Sequence, residues 1–194
     1  MIENSARVGY AMCGSFCTMS ESINALEILR ETFDDITPIM SEIAFSTDTR
    51  FGRADEFVRM MEHICGKSVI HTIADAEPIG PKALLDLLII APATGNTVSK
   101  IANGITDTAV TMAAKAHLRN GRPMLLAICS NDALSGSAPA IGTLLSRRNV
   151  YFAPMYQDDP IKKPTSLVAD FGKITQAAED ALRGRQLQPL LAVR

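Results

Sequence analysis

The sequence predicts an α/β fold: a doubly wound parallel sheet of about six strands with helices on both faces. Three observations predict it. Short apolar runs alternate with helically spaced segments from one end of the 194-residue chain to the other. The most apolar run, residues 85–91 (LDLLIIA), does not alternate with polar residues, as a strand covered on both faces requires. Strands separated by helices imply βαβ units with right-handed crossovers.

The elements follow in order. Residues 7–13 (RVGYAMC) form a short β run ending at Gly14. Residues 22–33 place Ile23, Leu26, Ile28, Leu29 and Phe33 at helical spacing. A second strand covers 36–40. A second helix covers 54–65 and ends at Gly66. Residues 68–72 read as a weaker third strand, and 75–82 (DAEPIGPK), with two prolines and a glycine, as a loop. After the buried strand come helices at 96–102 and 108–119, the latter closed by Asn120-Gly121. Residues 123–129 are another core strand, 139–147 a helix and 150–153 a last strand. Residues 157–164 (QDDPIKKP) are a polar, proline-bounded loop, and 167–182 a closing helix. In this plan, residues 1–194 form one domain, with a tail over 183–194 on the surface or on a partner.

Composition narrows the function. At 47% apolar and 21% charged, the chain can cover both faces of a sheet. A formal net charge of −2 argues against a nucleic-acid footprint, which needs a basic stripe. No run reaches the roughly 18 apolar residues of a membrane-spanning helix. The opening MIENSARVGYAM has no charged lead and apolar core of a secretion signal. Cys13, Cys17, Cys65 and Cys129 match no zinc spacing and read as small core residues in a reducing cytoplasm.

In such sheets the ligand sits outside the carboxyl ends of the strands. That brings loops 14–18, 41–50 and 92–97 to one crevice, with 130–137 at its border. Gly14 lets the backbone approach an anion, and Ser15 adds a hydroxyl beside free helix N–H groups. The plainer reading is a β–α turn capped by Thr18 or Ser20. There is no Gly-x-Gly-x-x-Gly, and the second strand ends at Met40-Ser41, with Glu42 one position further on. A mononucleotide therefore fits better than NAD. In 91–97 (APATGNT) a buried strand stops at Pro92. Ala93 and Thr94 are small enough to let backbone lie against a flat ligand, and Asn96 and Thr97 open a helix facing the crevice. The plainer reading makes Asn96, and Asp107 before the next helix, mere caps.

PATGNT followed by ANGITD resembles the asparagine loop of the flavin-containing cysteine decarboxylases, a family of Rossmann-like FMN flavoproteins. Gly14-Ser15 and Ser41 match that family's flavin-binding positions. The segments STDTRFG, AEPIGPK, NDAL and QDDPIKKPTSLVA are similar to its dipicolinate-forming branch, from about Arg7 to the C-terminus. The resemblance implies FMN, or a bare phosphate in its place, held by Gly14, Ser15, Thr18 and Ser41 on one side. On the other it implies Ala93, Thr94, Asn96 and Thr97. It implies homo-oligomers built from trimers, for which the small residues of 108–119 would allow close helix contact. It also implies a separate A subunit with a nicotinamide-binding domain, and oxidation of a dihydrodipicolinate-like ring during sporulation. Asn96 would be catalytic, as its counterpart is in the decarboxylases. The decarboxylases' catalytic histidine has no counterpart at 77–82. His63, His71 and His117 read as structural or surface residues. That weakens the alternative of a decarboxylase acting on cysteine amides; the other alternative is a partner-binding protein without catalysis of its own.

A dicarboxylate substrate needs cations, and Arg50, Lys82, Lys162 and Lys163 lie in loops, Arg50 and Lys82 being the residues assigned to catalysis. Asp158 and Asp159 are candidates for a general base, and the sequence does not choose between them and none.

Overall fold

The computed structural model describes residues 5–192. Its strands are β1 (Arg7–Met12), β2 (Asp35–Met40), β3 (Leu87–Ala93), β4 (Met124–Ser130), β5 (Val150–Phe152), β6 (Met155–Tyr156) and β7 (Leu167–Ala169). They form one seven-stranded sheet in the order β2-β1-β3-β4-β7-β6, with β5 also on β4. The pairs among β1 to β5 are parallel, whereas β7 runs antiparallel to β4 and β6 antiparallel to β7. The fold is thus the α/β class the sequence predicts, with seven strands rather than about six and a mixed edge.

The helices are α1 (Met19–Arg30), α2 (Glu42–Ser46), α3 (Ala54–Cys65), α4 (Ile73–Ala76), α5 (Gly95–Ala102), α6 (Ala109–Leu118), α7 (Ala138–Leu145) and α8 (Ile174–Leu182). Alternate residues of β1 feed two apolar layers. Val8, Tyr10 and Met12 pack with residues of α1, α3 and α8; Ala11 packs with residues of α4 to α7 on the opposite face. Both faces of β3 are covered, so all seven of its residues are buried and its run shows no alternation. Tyr10 ties α1 to the sheet: its hydroxyl donates to the Ser22 carbonyl at 2.9 Å, and Ser22 donates to the Ala91 carbonyl at 2.6 Å. At the amino ends of the strands, Asp86 accepts from Arg7 at 2.8 Å and from Arg122 at 2.8 Å, joining the starts of β1, β3 and β4.

Several boundaries differ from the sequence reading. Residues 68–72 make only a bridge, Ile70 with Ile39, because Pro38 and Met40 alone supply partners there. The 75–82 loop contains the end of α4, capped by Thr72, and a 3-10 turn at Glu77–Ile79. The buried strand starts at Leu87, since Asp86 is spent on the ion pairs. The largest correction concerns 167–182. Its first three residues are β7, and Asp170 stops the strand by accepting from the Gly172 amide at 3.1 Å before a 3-10 turn and α8. The strand at 150–153 is followed by the β6–β7 pair, so it is not the last. The tail turns back onto the sheet edge: the Gln186 side chain accepts from Phe152 N at 2.8 Å, and Met155 N donates to Leu190 at 2.9 Å. Residues 1–4 and 193–194, to which the predicted domain and tail also extend, lie outside the described residues. Ala109, Ala113, Ala114 and Ala116 of α6 are buried within this chain's own core. No helix among the described residues is long and apolar enough to cross a membrane.

Candidate functional site

Three parallel strands, β2, β1 and β3, end side by side, and each chain turn that follows is fixed by its own polar residues. After β1, Ser15 N donates to Cys13 O at 2.9 Å, opening a 3-10 turn at Phe16–Thr18. Thr18 stands at the start of α1 but makes no cap; its hydroxyl turns back to Ser15 O and Ser15 Oγ at 3.0 and 3.1 Å. After β2, Ser41 caps α2, its hydroxyl accepting from Ala44 N at 3.4 Å. After β3, Thr94 caps α5, accepting from Thr97 N at 3.2 Å.

The cap of α5 is therefore Thr94, not Asn96. Asn96 sits one residue inside the helix, exposed and free of the capping task. The start of α6 corrects the Asp107 reading in the same way: Thr108 and Thr111 form a reciprocal capping box, while Asp107 pairs with Lys100 at 2.8 Å.

Two cavities open at these strand ends. One of about 880 Å³ lies between the β1, β3 and β4 turns and the 156–168 segment. The other, of about 650 Å³, lies among the β1, β2 and β3 turns and the start of α6. Gly14, Thr94 and Asn96 line both. Both volumes suit a small-molecule site.

Most of the predicted residues meet here. Ser15, Thr18 and Arg50 line the larger cavity, and Ser41 and Thr97 the smaller. Lys163 lines the larger one, paired with Asp158 at 2.7 Å. Ala93 is fully buried at the end of β3 and lines neither. Lys82 does not join them: it follows the 3-10 turn before β3, at the amino end of that strand. Lys162 lines neither cavity.

The sequence reading missed Lys100, Ser46 and Thr108 in the smaller cavity. In the larger it missed Glu21, Asp132, Tyr156 and Ser166. Asp132 had a signal, since it falls in the bordering loop after β4. Its carboxylate accepts from Ser130 and, at 2.9 Å, from Ser137, and these hydroxyls hold its pKa below the usual carboxylate value. This cluster fits only because residue 95 is glycine. A Cβ there would lie 2.3 Å from Ser137 Oγ and 2.7 Å from Asp132 Oδ1. At Gly14 a Cβ would lie 2.6 Å from Ile43 Cγ2, the branch methyl of an exposed side chain.

The four cysteines are free thiols, and only Cys17 is exposed, at the larger cavity. Burial pushes the Cys13 thiol up to about 11 and Cys65 and Cys129 to about 12, so these three stay protonated. No histidine lines either cavity. His117 is buried, 2.8 Å from Pro123 O, and burial lowers its pKa. His71 stacks on Phe45 at 3.8 Å, and His63 is exposed on α3.

The chain matches the Flavoprotein family over residues 3–159, and it belongs to that family. It is 44% identical over 185 residues to the B subunit of dipicolinate synthase from Bacillus subtilis (strain 168), covering 95% of this chain and 92% of that protein. The crystal structure of the dipicolinate synthase B subunit from Bacillus halodurans C superposes with a TM-score of 0.89 at 41% identity, over 97% of each chain. Within the family, the chain therefore falls in the branch of the dipicolinate synthase B subunits. The FMN-dependent cysteine decarboxylase SpaF shares the fold, with a TM-score of 0.68 at 22% identity over 91% of this chain and 97% of that one.

Proposed function

We propose that this chain is the flavin-binding component of a dipicolinate synthase. With an A subunit that supplies the nicotinamide site, it would oxidise a dihydrodipicolinate-like precursor to dipicolinate in the cytoplasm of a sporulating cell. The observation that carries this reading is the meeting of two cavities at Gly14, Thr94 and Asn96, which gives a cofactor and a substrate adjoining rooms. The smaller cavity fits a flavin mononucleotide. Gly14 offers a side-chain-free approach, Ser41, Ser46 and Thr97 offer hydroxyls, and Lys100 offers the donors left over from its ion pair with Asp107, against the carboxylates of Asp107 and Glu42 in the same lining. When bound, the flavin would supply a hydride acceptor for aromatisation.

The remaining work falls to this chain's residues. Arg50 and Lys163 bring positive charge to the larger cavity for a dicarboxylate. Asn96, on the boundary, can reach toward either room with a neutral amide. Asp158 is a poor proton acceptor, because Lys163 holds its carboxyl below the usual range. Asp159 is occupied as a turn acceptor for Lys162 N at 2.9 Å. Neither supports a general-base role. The cysteine-amide decarboxylase reading lacks its base, since no histidine lines either cavity. Association into homo-oligomers rests on the family resemblance and not on the α6 alanines. Light scattering at micromolar concentration should show more than a monomer.

The function is tested by supplying a dihydrodipicolinate-generating reaction to the A subunit with and without this chain. Dipicolinate formation should depend on both proteins. Equal rates with and without this chain would contradict the proposal.

A further inference from the structure

Ser166 is the polar residue of the larger cavity whose burial is hardest to explain by folding alone. It is 1% exposed, yet its hydroxyl completes no hydrogen bond. Its hydroxyl dipole helps hold the Asp158 carboxyl ionised from nearby, but without the geometry of a hydrogen bond. A buried hydroxyl without a partner costs stability, and replacing it by a methyl would remove that cost. Its position is fixed from three sides. Ser166 N donates to Lys163 O at 3.1 Å, Thr165 Oγ1 donates to Asn131 O at 2.6 Å, and β7 starts at the next residue. The same turn presents Lys163, whose ammonium spends one of its three donors on Asp158.

We propose that Ser166 and Lys163 form a seat for one carboxylate of the substrate, and that Arg50, on another wall of the same cavity, takes the second. The proposal rests on the dipicolinate synthase reading. The Arg50 guanidinium stands 4.8 Å over the Phe51 ring and makes no ion pair among the described residues. Glu21, Asp132 and Asp158 line the same cavity, so its mean charge does not attract a dianion. Directed donors must hold it, and an unspent buried hydroxyl beside an oriented ammonium is such a donor pair. Ser166 is then a specificity residue, because it selects for a carboxylate at one end of the ring.

The test is calorimetric titration of the purified full chain with dipicolinate and with picolinate, flavin content and melting temperature being recorded for each variant. Ser166→Ala should weaken dipicolinate by about tenfold or more, the loss of one hydrogen bond to a charged group. It should leave flavin content unchanged and the melting temperature the same or higher. Arg50→Ala should bring the dipicolinate and picolinate affinities close together. Unchanged dipicolinate affinity in Ser166→Ala, or a lowered melting temperature with unchanged affinity, would overturn the seat. So would failure of the wild-type chain to bind dipicolinate. Flavin content, measured on the same samples, decides the cofactor reading separately.

Discussion

The two cavities that meet at Asn96 are walled by different kinds of chain. The smaller lies among turns that follow three adjacent parallel strands, and its polar groups are mostly hydroxyls. The larger shares Gly14, Thr94 and Asn96, but its other wall is the antiparallel β6–β7 edge with the turn after β4, and it carries more charged side chains, Glu21, Arg50, Asp132, Asp158 and Lys163 against Glu42, Lys100 and Asp107 in the smaller. Parallel strand ends supply capped turns and hydroxyls of the kind a phosphate ester needs. The antiparallel edge is built from other strands, and in the proposed function it is where a substrate's own charges would be met. On the proposed function, cofactor and substrate would depend on separable parts of one sheet.

Gly95 lies between Thr94 and Asn96, which line both cavities, so substitution there should have the largest effect. Gly95→Val places a Cβ into Ser137 and Asp132, and overpacking of this kind costs about 1–3 kcal/mol. Thermal unfolding should show the loss, and both flavin content and dipicolinate binding should fall together. Loss of only one would mean that the cavities do not share this junction.

Gly14→Val should separate the regions. Its nearest obstacle is the branch methyl of Ile43, an exposed side chain, so the melting temperature should fall less than in Gly95→Val. The flavin site should nonetheless be lost, because the side chain fills the approach between β1 and the ligand. Normal flavin content in that variant would remove Gly14 from the site.

The smaller cavity is easy to find in the sequence, and half of the larger one is hard. Gly14, Ser41 and Thr97 follow runs whose apolar character marks them as parallel strands, so their position at one sheet end follows from topology. Tyr156 ends a strand of two residues and Ser166 precedes one of three, both too short for any period to show. Residues 167–182 are apolar enough to read as one helix; pairing with Cys129 and Ser130 overrides that local preference. The resemblance of its segment draws Lys82 to the site, although its place before β3 puts it at the strand's other end. Asn96 is a crevice residue in both sequence and structure, but the cap that competes with this reading belongs to Thr94.

Because Thr94 is the cap, substitutions at Asn96 test the boundary between the regions without disturbing the helix. Asn96→Asp should fold with near-normal stability, since a carboxylate in the first turn suits the helix dipole. It should lose turnover with the A subunit far more than Asn96→Ser, by repelling a dianionic substrate and an electron-rich reduced flavin. Equal activity of the two variants and wild type would make Asn96 a bystander.

The smallest effect lies far from both cavities. Arg7 holds the Asp86 carboxyl below its usual pKa, with Arg122 adding to the effect. A group depressed on folding adds stability above its unfolded pKa of about 3.9 and loses it as pH falls through the folded value. Asp86→Asn should therefore be less stable than wild type at neutral pH, and the gap should close in acid below that range. Flavin content at neutral pH should be unchanged, because the pair sits at the amino ends of the strands.

The central claim, that the crevice at the carboxyl ends of β1, β2 and β3 holds a flavin mononucleotide, is tested most directly by the visible spectrum. The purified chain, reconstituted with FMN and freed of excess, should absorb in the blue and release flavin on denaturation in equal amount to protein. Gly14→Val treated identically should be colourless. A colourless wild-type chain that retains no flavin after reconstitution would contradict the account.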